Sequence, residues 1–236
     1  MKTLTNRLSQ NKYKLLMILL LALASAVAVI MEKAHVAYSH ENDFPSLVRN
    51  LMLAWIPLVF ASMAYGFSWS RKLVFLIVPL FAFVWLIFFP NAPYMLTEFQ
   101  HLRLNAATAP LWYDVLMLIW FAWIGLLLGI FSLYLMQEIV TRVFRPTVGW
   151  LFILAVTVLS SIGIYLGRFL RWNSWDILQD PKPIAKDIWG WFRHPGSNLS
   201  AYGFTIVFTF LFLFVYLAFY TFSKVVQERK AEEKGK

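Results

Sequence analysis

VLMLIWFAWIGLLLGIFSLYLM, residues 115–136, decides what kind of chain this is. It contains no Asp, Glu, Lys or Arg. A helix of this length covers the roughly 30 Å hydrocarbon core of a bilayer. Working outward, five more charge-free apolar runs appear at 15–31, 51–67, 73–89, 148–166 and 202–222. Only 14% of the 236 residues are charged and 60% are hydrophobic. A soluble domain carries about 25% charged residues and would expose large sticky patches with such a sequence. The expected fold is all-α, a polytopic membrane bundle of about six transmembrane helices with short interfacial helices beside it.

The connections alternate in charge. The N-terminal segment 1–14, the turn between spans two and three, the connection between spans four and five and the tail 224–236 together carry thirteen Lys and Arg. The longer loops 32–50, 90–114 and 167–201 carry eight. Basic residues accumulate on the cytoplasmic side, so both termini are expected there, in a plasma membrane, with 15–223 as one helical domain. The net charge of +9 then reflects topology and contact with membrane lipids, not nucleic acid. The first span can also be read as a signal peptide, with Ala22-Leu23-Ala24 as a cleavage site, although the apolar run continues past it. There is no cysteine, which excludes thiol nucleophiles, thiolate metal sites and disulfides. Pro57 and Pro79 are expected to kink their spans. Gly125 with Gly129, and Gly163 with Gly167, form G-x-x-x-G pairs that let helix backbones approach, within the chain or in a homo-oligomer or with another membrane protein. The mixed-charge tail is expected to fray.

The polar residues collect in the outer loops, with all four histidines and eight of the twelve acids there. In FFPNAPYMLTEFQHLRLN, residues 88–105, Asn91 is suited to cap a helix and Pro93 to enter its first turn. Tyr94, Glu98, His101 and Asn105 then share one face. That face is either the wetted side of an interfacial helix or a site where Glu98 and His101 act as base and acid. Glu98 and His101 also have metal-ligand spacing, but no second histidine stands nearby and no metal is assigned. In PLWYDVL, residues 110–116, Asp114 is either a charge favouring the N-terminus of the fourth span or an orienter for His101 or a metal ligand. In GIYLGRFLRWNSWDIL, residues 163–178, Arg168 and Arg171 lie three apart where the fifth span leaves the membrane. They either snorkel or grip a phosphate or carboxylate. Asn173 and Asp176 resemble a capping box, and Trp172 begins a tryptophan-rich surface segment that DPKP, residues 180–183, divides.

FPNAPYMLTEFQHL, PLWYDVLML and GRFLRWNSWDIL together resemble the bacterial membrane-protein family designated domain of unknown function 1361. The resemblance runs from about residue 51 to 220. Its matching positions are Asn91, Pro93, Tyr94, Glu98, His101, Trp112, Tyr113, Asp114, Gly167, Arg168, Arg171, Asn173, Ser174, Trp175 and Asp176. It implies a multi-pass plasma-membrane protein and assigns no reaction and no cofactor.

Residue chemistry therefore leaves three functions open. The first is an enzyme acting on a lipid or cell-envelope intermediate, with Glu98, His101 and Asp114 catalytic and Asn91, Tyr94, Arg168, Arg171, Trp172, Asn173 and Asp176 binding substrate. The second is an assembly or regulatory subunit of an envelope machine. The third is a transporter of lipid or small solutes, which the lack of charge within the spans disfavours. The topology is directly testable because the chain lacks cysteine. Ser197→Cys is expected to react with a membrane-impermeant maleimide in intact cells, and Thr147→Cys only after permeabilisation. The reverse pattern refutes the assigned orientation.

Overall fold

The computed structural model describes residues 2–102 and 109–235, with side chains from 12 to 229. Ten helices and two 3-10 segments make up the described residues, without strands. They are α1 (Lys2–Ser39), α2 (Leu47–Phe67), α3 (Leu73–Leu76), α4 (Val78–Phe88) and α5 (Asn91–Tyr94), followed by a 3-10 segment (Met95–His101). Then come α6 (Leu111–Val143), α7 (Pro146–Phe169), α8 (Asp176–Gln179) and α9 (Pro181–Arg193), a second 3-10 segment (Pro195–Asn198) and α10 (Leu199–Gly235). Six of the helical stretches are long and apolar enough to cross a membrane.

Several boundaries differ from the sequence expectation. Helix α1 continues to Ser39, so Glu32, Lys33 and His35 are helical and do not belong to a loop. Backbone hydrogen bonds inside a helix are satisfied with or without hydrocarbon, so hydropathy marks the buried part of a span and not its end. For the same reason α6 begins at Leu111 and α10 runs through the tail to Gly235. Helix α2 passes Pro57 without a break. The third span does break, at Ile77, because Pro79 has no N–H to continue the ladder and instead opens α4. That span then continues past residue 89, so the apolar stretch Val78–His101 includes α5 and the 3-10 segment.

Helix α6 is the hub. Its apolar window is 61% buried, more than that of any other span. Leu118, Phe121, Leu128 and Leu133 of α6 join Leu47, Leu51 and Leu58 of α2, Phe89 and Met95 of the third span, and Phe212 and Tyr216 of α10 in one core. A smaller cluster of Leu166, Ile184, Trp191 and Ala201 fastens α9 to α7 and α10.

The two glycine pairs face the same partner within the chain, segment 90–95. A Cβ on Gly125 would lie 2.5 Å from Met95 Cβ and 2.6 Å from the Ala92 carbonyl oxygen. One on Gly129 would touch Pro93 and Ala92, one on Gly163 would lie 2.8 Å from Pro90 Cγ, and one on Gly167 would touch Tyr94. The glycine faces are therefore occupied from within the chain.

At one end of the bundle Glu138 Oε2 pairs with Lys14 Nζ at 3.1 Å. Its Oε1 accepts from Tyr65 at 2.8 Å and Arg142 at 3.1 Å. This ties α1, α2 and α6 at the end where the basic connections lie. Gly125→Ala is expected to destabilise the bundle by about 1–3 kcal/mol through overpacking against backbone. Gly203→Ala, where a Cβ meets nothing within 4 Å, is expected to be neutral or slightly stabilising. Thermal unfolding in detergent compares the two.

Candidate functional site

Asn91 does not cap a helix as its position suggested. Its amide donates to the Phe88 carbonyl at 2.9 Å and to Ser174 Oγ at 2.8 Å. It thus joins the third span to the segment after α7. Beyond Tyr94 the chain tightens into the 3-10 segment, where residues three apart eclipse. Tyr94, Thr97, Glu98 and His101 come onto one side, as the polar spacing implied. Asn105, the fourth member expected on that face, and Arg103 lie outside the described residues.

That side is exposed at His101 and buried at Glu98, and all four residues close on Arg168. The guanidinium Nη2 donates to Glu98 Oε1 at 2.7 Å, Nε to Thr97 Oγ1 at 2.8 Å, and Nη1 to His101 Nε2 at 2.9 Å. It also lies 4.2 Å from the centre of the Tyr94 ring. Asn50, from α2, donates its side-chain amide to the same Glu98 Oε1 at 2.9 Å. Glu98 is 1% exposed. A guanidinium has only donors, so the Nε2 of His101 must accept, and the imidazole is neutral with its proton on Nδ1. Glu98 stands behind Arg168 and is not part of the cavity wall.

In front of this pair opens a cavity of about 260 Å³. Arg168, His101, Tyr94 and Asn91 reach its wall, as do Arg171, Trp172 and Asn173. Arg171 is not on the face of α7, as its spacing from Arg168 suggested. Helix α7 ends at Phe169, and Arg171 turns at φ 62°, in the left-handed region, while the Trp172 N–H reaches back to the Leu166 carbonyl at 3.1 Å. The turn nevertheless delivers Arg171 to the cavity. Asp176 stays out of it and instead accepts from the Asn173 backbone N–H at 2.7 Å. That is one limb of the expected capping box, and α8 starts there. Ile177 of α8 and Ile184 of α9 close the cavity from the far side, held by Trp172 Nε1 donating to Asp187 at 2.8 Å.

Sequence reasoning missed the contribution of α2. Ser46, Arg49 and Asn50 in and beside its first turn line the cavity. No acid stands in that turn and no side chain caps it. The available signal was an arginine and an asparagine just before an apolar run, which reads as ordinary flanking polarity. Arg49 and Arg171 are exposed and, among the described residues, neither makes an ion pair.

Asp114 is not part of this site and does not orient His101. It is buried beside His35 of α1, with Oδ1 3.0 Å from Nε2, and Asp43 Oδ2 lies 3.9 Å from the same nitrogen. The close oxygen lies off the line of the ring N–H, leaving both atoms with unused hydrogen-bonding capacity. His35 is 2% exposed and packs against Phe44 and Tyr113, whose hydroxyl donates to the Met31 carbonyl at 2.9 Å. This second cluster fixes α1 to α6. Among the described residues, no three His, Asp or Glu side chains gather in a way that could hold a metal ion.

These features define a polytopic, all-α membrane bundle with an arginine-lined cavity at one end. The family model described as "Protein of unknown function (DUF1361)" matches residues 49–215, and the chain belongs to that family. No curated protein and no solved structure matches the chain.

The Glu98–Arg168 pair yields a stability test. Glu98→Ala leaves a guanidinium that is 7% exposed without its counter-charge, and is expected to cost about 3–5 kcal/mol. The double variant Glu98→Leu, Arg168→Met is expected to recover most of that loss, because removing both charges removes the desolvation penalty. Additive losses in unfolding measurements would show that the pair is not coupled.

Proposed function

We propose that the cavity binds the anionic headgroup of a membrane amphiphile, a phosphate-bearing lipid or envelope intermediate. The observation that carries this is the convergence of Arg49, from the start of α2, with Arg168 and Arg171, from the end of α7, on one cavity that no carboxylate lines among the described residues. Glu98 offsets Arg168 from behind, which leaves Arg49 and Arg171 as two positive charges without an ion pair among the described residues. Guanidinium groups suit phosphate because their donors match its oxygens in pairs. The uncapped first turn of α2 adds backbone N–H groups and the positive end of a helix dipole. The polar wall of Asn91, Asn173 and Ser174 suits hydroxyl-bearing headgroups, while Leu53, Ile87 and Ile177 supply an apolar margin.

In this reading the protein sits in a bacterial plasma membrane with the cavity on the extracytoplasmic side, and it acts as an enzyme on the bound headgroup. His101 is the imidazole on the wall, and its Nε2 is free to take a proton when a bound anion draws Arg168 away from it. Glu98 is a positioning residue. The subunit alternative keeps the outer helices as a docking surface, but the glycine pairs that would also serve it are packed against segment 90–95 of the same chain.

The test separates binding from chemistry. Dioctanoyl phosphatidic acid is expected to bind the purified protein, and Arg49→Gln with Arg171→Gln to weaken it at least about tenfold, the scale of losing charged hydrogen bonds. Dioctanoyl phosphatidylcholine is expected to bind weakly and to change little. His101→Asn is expected to keep phosphatidic acid binding. In a deletion strain His101→Asn should fail to restore the envelope lipid or polymer species that the wild-type chain restores, as read by mass spectrometry. Unchanged binding in the double arginine variant overturns the headgroup site. Restoration by His101→Asn overturns the enzymatic role alone.

A further inference from the structure

A second, larger cavity lies at the opposite end of the bundle, in the gap that α1 and α10 leave over the face of α6. Its volume is about 410 Å³. On α6 it runs from Leu127 to Glu138, and on α10 from Tyr216 to Gln227. Each stretch advances eleven residues, about 16 Å of helix, close to half of a hydrocarbon core of roughly 30 Å. The cleft therefore has the depth of one leaflet.

Its lining changes character along that depth. The inner half presents Leu127, Ile130, Phe131 and Phe219. The outer half presents Lys14, Glu138, Ser223, Lys224 and Gln227. The charges at the mouth do not cancel. Glu138 is shared between Lys14 and Arg142, and Lys224 makes no ion pair among the described residues, touching only the Tyr220 ring at 5.5 Å. Two lysines thus stand at the mouth with one carboxylate, whose charge Arg142 shares from outside the lining.

We propose that this cleft is a binding site for an anionic phospholipid, with an acyl chain along α6 and the phosphate at Lys224 and Lys14. Basic pockets between membrane helices hold such headgroups. The graded lining argues for an amphiphile over a helix from a second copy, because it offers an apolar inner half to a chain and a basic mouth to an anion. The site is independent of the arginine-lined cavity and stands or falls without it.

Native mass spectrometry of the detergent-solubilised full chain tests the assignment, with dioleoyl phosphatidylglycerol and dioleoyl phosphatidylcholine added in equal amounts. Wild type is expected to retain the anionic lipid about fivefold over the zwitterionic one, the preference that one interfacial cation confers. Lys224→Gln, an exposed position where folding is not at stake, is expected to reduce that preference severalfold while phosphatidylcholine retention stays constant. Ile130→Trp, which fills the inner half, is expected to lower retention of both lipids. Equal retention of the two lipids by wild type, or an unchanged preference in Lys224→Gln, overturns the proposal. So does a dimer of the wild-type chain that Ile130→Trp dissociates.

Discussion

The structure depends on the seating of residues 90–95 between α6 and α7. In hydrocarbon no hydrophobic force drives one helix onto another, since lipid tails are as apolar as leucine, and association rests on close packing. Gly125 and Gly129 on one side, and Gly163 and Gly167 on the other, remove the side chains that would hold α6 and α7 away from this segment. The prolines at 90 and 93 limit its conformations and match the shallow surfaces that the glycines leave. Because the seat is rigid, the chain that follows it leaves at a fixed angle, and Tyr94, Thr97, Glu98 and His101 arrive around Arg168 as a unit.

The polar groups obey the bilayer at both ends of the bundle. Glu138 with Lys14 and Arg142 gathers at one end, Glu98 with Arg168 and His35 with Asp114 at the other. An unpaired charge deep in hydrocarbon costs at least about 2.5–3.5 kcal/mol, so ionisable groups sit near span ends and in pairs. The pairs differ in what they spend. Glu98 accepts from both Asn50 and Arg168 and stabilises the arginine in one orientation. The His35–Asp114 contact is close but poorly aligned, and packing around His35 holds α1 against α6. Arg49 and Arg171 are left over from this pairing, and that surplus gives the arginine-lined cavity its sign.

Each end also presents a different chemistry to the membrane. The Arg168 end has an arginine-lined cavity flanked by α8 and α9, with Trp189 and Phe192 exposed on α9 as amphipathic interface helices present them. The Glu138 end has an open cleft that grades from apolar to basic along the depth of a leaflet. Both cavities border α6 or its direct packing partners, which is why the most buried helix of the bundle has so few polar side chains of its own.

The sequence by itself determined the six spans, the alternation of basic and polar connections, and seven of the residues that line the arginine-lined cavity: Asn91, Tyr94, His101, Arg168, Arg171, Trp172 and Asn173. These were legible because hydropathy and helical spacing are local properties, read within a window of about twenty residues. Only the tertiary structure decided the pairings. Asn50 meets Glu98 across 48 residues, Glu98 meets Arg168 across 70, and His35 claims Asp114 across 79. A carboxylate in a loop has the same local signature whichever cation it will meet, and a glycine pair the same whether its partner lies within the chain or outside it. The choice is made when the apolar spans pack, because that packing fixes which loops share an end and which side chains are near enough to exchange water for one another.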